Sequence, residues 1–117
     1  MTLQLHKHQL SPELCQLEFV GKLLMGNEAR QVEWNLSELL AAGVKKVIFD
    51  LAKLDGIDST GVGIIVMCNA MLQKAGGNLR IGGAQGIVLE TLQMTHLDRL
   101  VPMFATSKEA AQDFAVA

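Results

Sequence analysis

The tetrapeptide Asp58-Ser59-Thr60-Gly61 is a polar stretch set between two apolar segments, residues 47–51 and 62–66. We predict that a strand ends just before it and that a helix begins in it. A helix start exposes unpaired backbone N–H groups and the positive end of the helix dipole. Asp58 or Ser59 can cap such a start, and a phosphate on Ser59 would be stabilised at the same place.

Two interpretations of Ser59 therefore share one backbone geometry. In the first, Ser59 is a phosphoacceptor, with Thr60 as the alternative acceptor and Asp58 as the cap that orients the site. A phosphate adds about -1.5 to -2 charges, which roughly doubles the negative charge of a chain whose net charge is -2. In the second, the polar residues only cap a helix.

Other site chemistries lack their residue patterns. Cys15 and Cys68 have no second ligand at metal spacing, and we predict that both are small buried hydrophobes. No histidine has a nucleophile and an orienting acid beside it; the three are His6, His8 and His96. Residues 61–63, Gly-Val-Gly, do not complete a phosphate-loop motif. We expect no metal, no cofactor, no catalytic residue and no enzymatic activity.

Hydrophobic periodicity predicts the elements that position the tetrapeptide. The predicted strands are 2–8, 14–20 (closed by Gly21), 44–51, 79–83 and a last short one within 96–104. The predicted helices run from an Asn27 N-cap to Gly43, over 59–75, over 85–93, and over 107–115 with Ser107 as N-cap; residues 22–28 are a connection. The order ββαβαβα(β)α predicts an α/β fold with a mainly parallel mixed sheet and an antiparallel N-terminal hairpin.

A helical wheel divides the helix that follows the tetrapeptide. The side with Gly61, Ile65 and Cys68 is predicted to face the core. The solvent side is marked by Asn69, Gln73 and Lys74. Val62 and Val66 lie on or near that solvent side with Gly63, which predicts an exposed apolar strip beside Ser59. Contiguous exposed apolar surface can mark an interface.

Size, charge and hydropathy limit the function classes. The 117 residues suit a single domain over residues 1–117, and half of them are apolar. The chain has no basic patch, and its aromatic residues are four Phe and one Trp, with no Tyr. Both features argue against nucleic-acid binding. No signal-peptide run and no stretch of membrane-spanning length are present, so we expect a soluble, cytoplasmic protein without membrane insertion.

Three segments carry a resemblance to a known family: "VIFDLAKLDGIDSTGVGIIV", "AGGNLRIGG" and "VLETLQMTHLDRLVPMFATSKEAAQDF". Together they resemble the STAS domain of bacterial anti-anti-sigma factors, the anti-sigma-factor antagonists. The resemblance implies a sheet of four or five strands with helices largely on one side. It also implies that Ser59 is phosphorylated by an anti-sigma factor that is a GHKL-type serine kinase, and that a PP2C-type phosphatase reverses this. Only the unphosphorylated form would bind the anti-sigma factor.

The chain departs from that family at one position. Family members carry Gly-Glu-Leu-Asp after the second strand, and the aspartate lies near the phosphoacceptor, whereas this chain has Leu24 there. Glu28 and Asp58 are the carboxylates left nearby. The change makes the connection apolar, and we predict that Leu23, Leu24 and Met25 enlarge the partner-binding surface formed by Val62, Gly63 and Val66.

Two other functions stay open at this point. The chain could be a constitutive STAS subunit of a transporter or other complex, such as the partner of an ABC-type lipid-transport ATPase, and Leu24 fits that hypothesis. It could also bind a small molecule or nucleotide, which stabilisation of the fold by ATP or GTP would reveal. Trp34 falls off the apolar stripe of its helix; it could anchor a partner, but packing against a neighbouring loop is the more frequent arrangement.

Overall fold

The computed structural model describes residues 3–116 as a five-stranded sheet with helices on both faces. The strands are β1 (Gln4–Ser11), β2 (Leu14–Leu23), β3 (Lys46–Ile57), β4 (Asn78–Gly82) and β5 (Met103–Phe104). The helices are α1 (Asn27–Ala41), α2 (Ser59–Lys74), α3 (Gly86–Met94) and α4 (Ser107–Val116), with a 3-10 turn at Leu97–Arg99.

The strands lie in the sheet in their chain order, β1-β2-β3-β4-β5. β1 pairs with β2 antiparallel, and every later pair is parallel. Parallel neighbours need crossover helices, and α1, α2 and α3 each connect one strand to the next. The predicted α/β fold class and element order are confirmed. Thr2, the first residue of the predicted first strand, lies outside the described residues.

The core lies mainly between the sheet and the first three helices. Along β2 the buried residues alternate with half-buried ones, and Phe19 packs against Phe49 of β3 with ring centroids 4.9 Å apart and ring planes tilted by 55°. α4 covers the opposite face of the sheet, where Phe114 packs with Ile48. Val47, Ile48 and Phe49 are all fully buried, as predicted for a central strand covered on both faces.

Three strands extend beyond their predicted ends. β1 continues to Ser11, β2 continues past Gly21 to Leu23, and β3 continues through the stretch 52–57. Gly21, with φ 108°, was expected to end the strand, but it lies where the β2–β3 register shifts and pairing resumes. A glycine tolerates such an irregularity, so the ladder reaches Leu23 opposite Ile57. The carboxyl ends of the two strands therefore meet directly before α2.

Two predicted helix caps are each displaced by one residue. Asn27 is the first residue of α1, and the N-cap is Gly26, whose φ of 106° favours glycine. At α4 the cap is the Thr106 hydroxyl, which accepts a hydrogen bond from the Glu109 N–H at 3.1 Å. Ser107 is instead the first helical residue and packs against Gly82 of β4. Asp58, by contrast, caps α2 as predicted.

Within residues 3–116, no helix combines the length and the apolar character that crossing a membrane requires. Both cysteines are free and buried, one on β2 and one on α2, as predicted. Burial raises the pKa of Cys68 to about 12, and the nearby charge of Glu33 acts in the same direction. Burial also raises the pKa of Cys15.

These thiols should react only when the chain unfolds. At pH 8 we expect iodoacetamide to leave both cysteines of the native protein unmodified and to label both in urea, measured by intact mass. Because the folded pKa of Cys68 exceeds the unfolded one, its stability contribution is complete below the unfolded pKa and falls as pH rises above it. Rapid labelling of the native protein at pH 8 would contradict this burial.

Candidate functional site

The Asp58 carboxylate joins the start of α2 to the loop that follows β2. Asp58 Oδ1 accepts the backbone N–H of Gly61 at 2.9 Å, and Asp58 Oδ2 accepts the N–H of Met25 at 3.1 Å. The Asp58 N–H donates to the carbonyl oxygen of Leu23 at 3.3 Å. One residue thus satisfies a free helix N–H and fixes the loop of residues 24–26 against the helix.

Gly61 allows the helix and β2 to approach this closely. A Cβ at Gly61 would lie 2.5 Å from the carbonyl oxygen of Leu23 and 2.7 Å from the Ile57 side chain. No larger residue fits without moving backbone, so the glycine is required by contact and not by an unusual φ. Gly61 is buried, as predicted.

Ser59 and Thr60 are exposed in the first turn of α2, directly after the Asp58 cap. Gly63 is also exposed, and a Cβ added to it would meet no atom of the described chain within 4 Å beyond the neighbouring helix backbone. The Ser59 hydroxyl is therefore accessible at the positive end of the helix dipole, where a phosphate would be stabilised.

The predicted apolar surface around Ser59 is only partly present. Leu24, Met25 and Val66 are exposed, by 37%, 70% and 40% respectively. The predictions for Leu23 and Val62 are wrong: Leu23 is fully buried as the last residue of β2, and Val62 is 9% exposed within the main core cluster. We define the apolar rim as Leu24, Met25 and Val66.

The buried face of α2 is wider than the helical wheel predicted. Asn69, predicted to face solvent, is 4% exposed, and it follows Val62 by seven residues on the same side of the helix. Val62 packs into the main core cluster, which also contains Val32 and Leu36 of α1, the helix that packs against α2. A wheel drawn for one helix does not include that neighbour, which explains both errors.

Two carboxylates lie near the loop that carries Leu24. Asp58 bonds the loop backbone at Met25, and Glu28 Oε2 lies 3.6 Å from the position of a Cβ on Gly26. Lys22 forms an ion pair with Asp55 at 3.2 Å, and both side chains are solvent-exposed. The two carboxylates named from the sequence, Asp58 and Glu28, are thus both close to the 24–26 loop.

Three surface hollows lie away from this site. The first, of about 340 Å³, lies between α3 and β5, and the second, of about 550 Å³, lies between the β1–β2 turn and the end of α4. The third, of about 360 Å³, lies on the outer face of α1. Ser59 lines none of the three. Among residues 3–116, no three His, Cys, Asp or Glu side chains are grouped to hold a metal ion.

Known proteins share the sheet order and the elements of this site. Residues 7–110 match the STAS domain family. The chain belongs to this family. The match includes β2, the 24–26 loop and the whole of α2, and so covers every residue of the candidate site.

Relatives and solved structures extend this result. The chain is 29% identical over 98 residues to a Thermotoga maritima protein named "Putative anti-sigma factor antagonist", covering 78% of this chain and 87% of the relative. It superposes on the phosphorylated form of the Bacillus cell fate determinant SpoIIAA with TM-score 0.74 at 20% identity, covering 95% and 99% of the two chains. A sulfate transporter family protein from Wolinella succinogenes gives TM-score 0.75 at 17% identity, covering 88% and 85%. At these identities the two structures establish a shared fold only.

Replacing Asp58 by alanine should destabilise the fold by about 1 to 2 kcal/mol, because the helix loses its cap. The loop of residues 24–26 loses its anchor as well. Urea unfolding monitored by circular dichroism measures the change. Asp55→Ala is the matched control, since it removes an exposed carboxylate in a surface ion pair and should change stability by less than about 1 kcal/mol. Equal effects of the two substitutions would contradict the anchoring role.

Proposed function

We propose that this STAS protein is an anti-sigma-factor antagonist whose partner binding is switched by phosphorylation of Ser59. The observation that carries the proposal is an exposed serine hydroxyl in the first turn of a helix, beside the apolar rim of Leu24, Met25 and Val66. The unphosphorylated surface binds a partner, and the phosphorylated surface does not. The chain is a kinase substrate and not a catalyst.

Desolvation explains why one phosphate would be enough. A partner that covers the apolar rim must also remove water from the start of α2. Phosphorylation of Ser59 places about two negative charges there, and burying an unpaired charge is strongly unfavourable. In the free protein both the helix N-terminus and water stabilise the phosphate, and binding of a partner removes the water.

The partner that fits this scheme is an anti-sigma factor that is also a serine kinase. The name of the Thermotoga relative supports an anti-sigma factor as partner, and the phosphorylated form of SpoIIAA shows that a protein of this fold accepts a phosphate. We propose a kinase of the GHKL type, which transfers the γ-phosphoryl group of ATP to the Ser59 oxygen. A PP2C-type phosphatase then hydrolyses the phosphoserine and restores binding.

Leu24 sets the character of the binding surface in this proposal. Where the family pattern has an aspartate, this chain has an exposed leucine beside an exposed methionine, Met25. The partner should therefore present an apolar side chain to the 24–26 loop in place of a basic one. Asp58 and Glu28 are the carboxylates available near the loop to orient the phosphoryl acceptor.

Substitutions at Ser59 test the switch. Ser59→Asp should weaken binding of the anti-sigma factor by at least about tenfold, because it places a charge in a desolvated contact. Ser59→Ala should bind like the unmodified protein and should accept no phosphate. Thr60→Ala is the control next to the site and should remain a substrate. Isothermal titration calorimetry measures binding, and equal affinities for Ser59→Asp and Ser59→Ala would contradict the proposal.

Gly63 provides a second test, because it separates stability from binding. A glycine inside an exposed helix costs about 1 kcal/mol relative to alanine, and no side chain of the described protein occupies the space beside it. We propose that the partner's backbone or side chain occupies that space. Gly63→Ala should then raise the free energy of unfolding while weakening partner binding. A variant that is stabilised and binds normally would remove Gly63 from the interface.

The alternative is a constitutive subunit of a transporter or other complex, in which Ser59 only begins the helix. A protein of the sulfate transporter family shares this fold, and this likeness supports the alternative. In that case Ser59→Asp would leave binding unchanged, and the partner would co-purify whatever the phosphorylation state. The Ser59 variants therefore separate the two functions.

A further inference from the structure

Trp34, the only tryptophan of the chain, lies on the outer face of α1 with 69% of its surface exposed. The expectation that it packs against a neighbouring loop is therefore wrong. The core stripe of α1 includes Val32 and Leu36, and Trp34 lies on the opposite side of the helix. A large exposed aromatic side chain is the type of residue that anchors protein interfaces.

The surface around Trp34 carries a shallow, open hollow. A hollow of about 360 Å³ is lined by Arg30, Glu33, Trp34 and Ser37. These four residues lie on two successive turns of α1. The hollow and the projecting indole lie side by side. Two copies related by a two-fold axis would place each indole in the hollow of the other, which is the arrangement of an isologous contact.

We propose that the outer face of α1 pairs antiparallel with the same face of a second copy of this chain, with the two-fold axis at Trp34. The contact is distinct from the surface around Ser59, which lies on α2 and the 24–26 loop. The chain would thus carry two interfaces, one for itself and one for its regulatory partner.

The charges of α1 are arranged for self-pairing. Arg30 precedes Trp34 by four residues, and Glu38 follows it by four. In an antiparallel pair centred on Trp34, Arg30 of one copy therefore lies opposite Glu38 of the other, and symmetry repeats this attraction. Lys7 of β1 donates to Glu38 Oε1 at 3.3 Å, and a carboxylate can accept from a second cation. Among the described residues, Arg30 takes part in no ion pair.

The size of the contact determines its strength. α1 has 15 residues, which makes it about 22 Å long, and pairing along one helix buries less area than a standard protein interface. The dimer should therefore be weak and depend on concentration. Both the charge pairs and the indole contacts should respond to single substitutions, because few other contacts compensate for their loss.

Sedimentation equilibrium of the whole chain over a wide concentration range tests the proposal. We expect a monomer–dimer equilibrium, and tryptophan fluorescence should shift to shorter wavelength with the same concentration midpoint, because the sole indole becomes buried. Trp34→Ala should abolish association. Ser59→Asp should leave it unchanged, so failure of this proposal and failure of the phosphorylation switch can be told apart.

Charge reversal identifies the contact. Arg30→Glu alone and Glu38→Arg alone should each weaken self-association about tenfold, since each creates two like-charge pairs in the dimer. An equimolar mixture of the two variants should associate as well as the unmodified protein, because every opposed pair in the mixed dimer is attractive. Lys74→Glu, the same reversal at an exposed position of α2, is the control. A monomer at every concentration, or a mixture that associates no better than its components, would overturn the proposal.

Discussion

The Asp58 carboxylate is the contact on which the arrangement of the site depends. It bonds the free N–H of Gly61 in the first turn of α2 and the N–H of Met25 in the loop after β2. Without it, the exposed loop and the exposed serine would be two independent surface features. With it, Ser59 and the loop that carries Leu24 and Met25 form one continuous surface, so a charge on the serine lies beside that loop.

The long parallel pairing of β2 and β3 makes that contact possible. Because the ladder reaches Leu23 opposite Ile57, both strands end at the level where α2 begins. The backbone of Leu23 then receives the Asp58 N–H and leaves room only for a glycine at position 61. Burial of Leu23 and Val62 fixes this junction from the core side. The exposed rim therefore consists of the few apolar side chains that lie outside the core at the start of α2.

The sequence predicted the element order, the Asp58 cap and the burial of Gly61, because these depend on local patterns of turn residues and on hydrophobic periodicity. It did not predict the end of β2, since Gly21 is compatible with a strand end and with a register shift, and pairing with β3 decides between them. Val62 and Asn69 were missed because burial on the side of a helix depends on the neighbouring elements. Trp34 was expected to pack against a loop, although it lies off the apolar stripe of its helix, so its exposure and the hollow beside it were revealed only by the structure.

The proposed switch requires that Ser59 is a phosphoacceptor and does not serve only as the first residue of α2. Intact-mass analysis with phosphosite mapping, on protein purified from its native cells under several growth and stress conditions, tests it most directly. We expect a single phosphate, located on Ser59, in a fraction of molecules that changes with conditions. A chain unmodified at Ser59 under every condition would contradict it and leave Asp58, Ser59 and Thr60 with the structural role of starting α2.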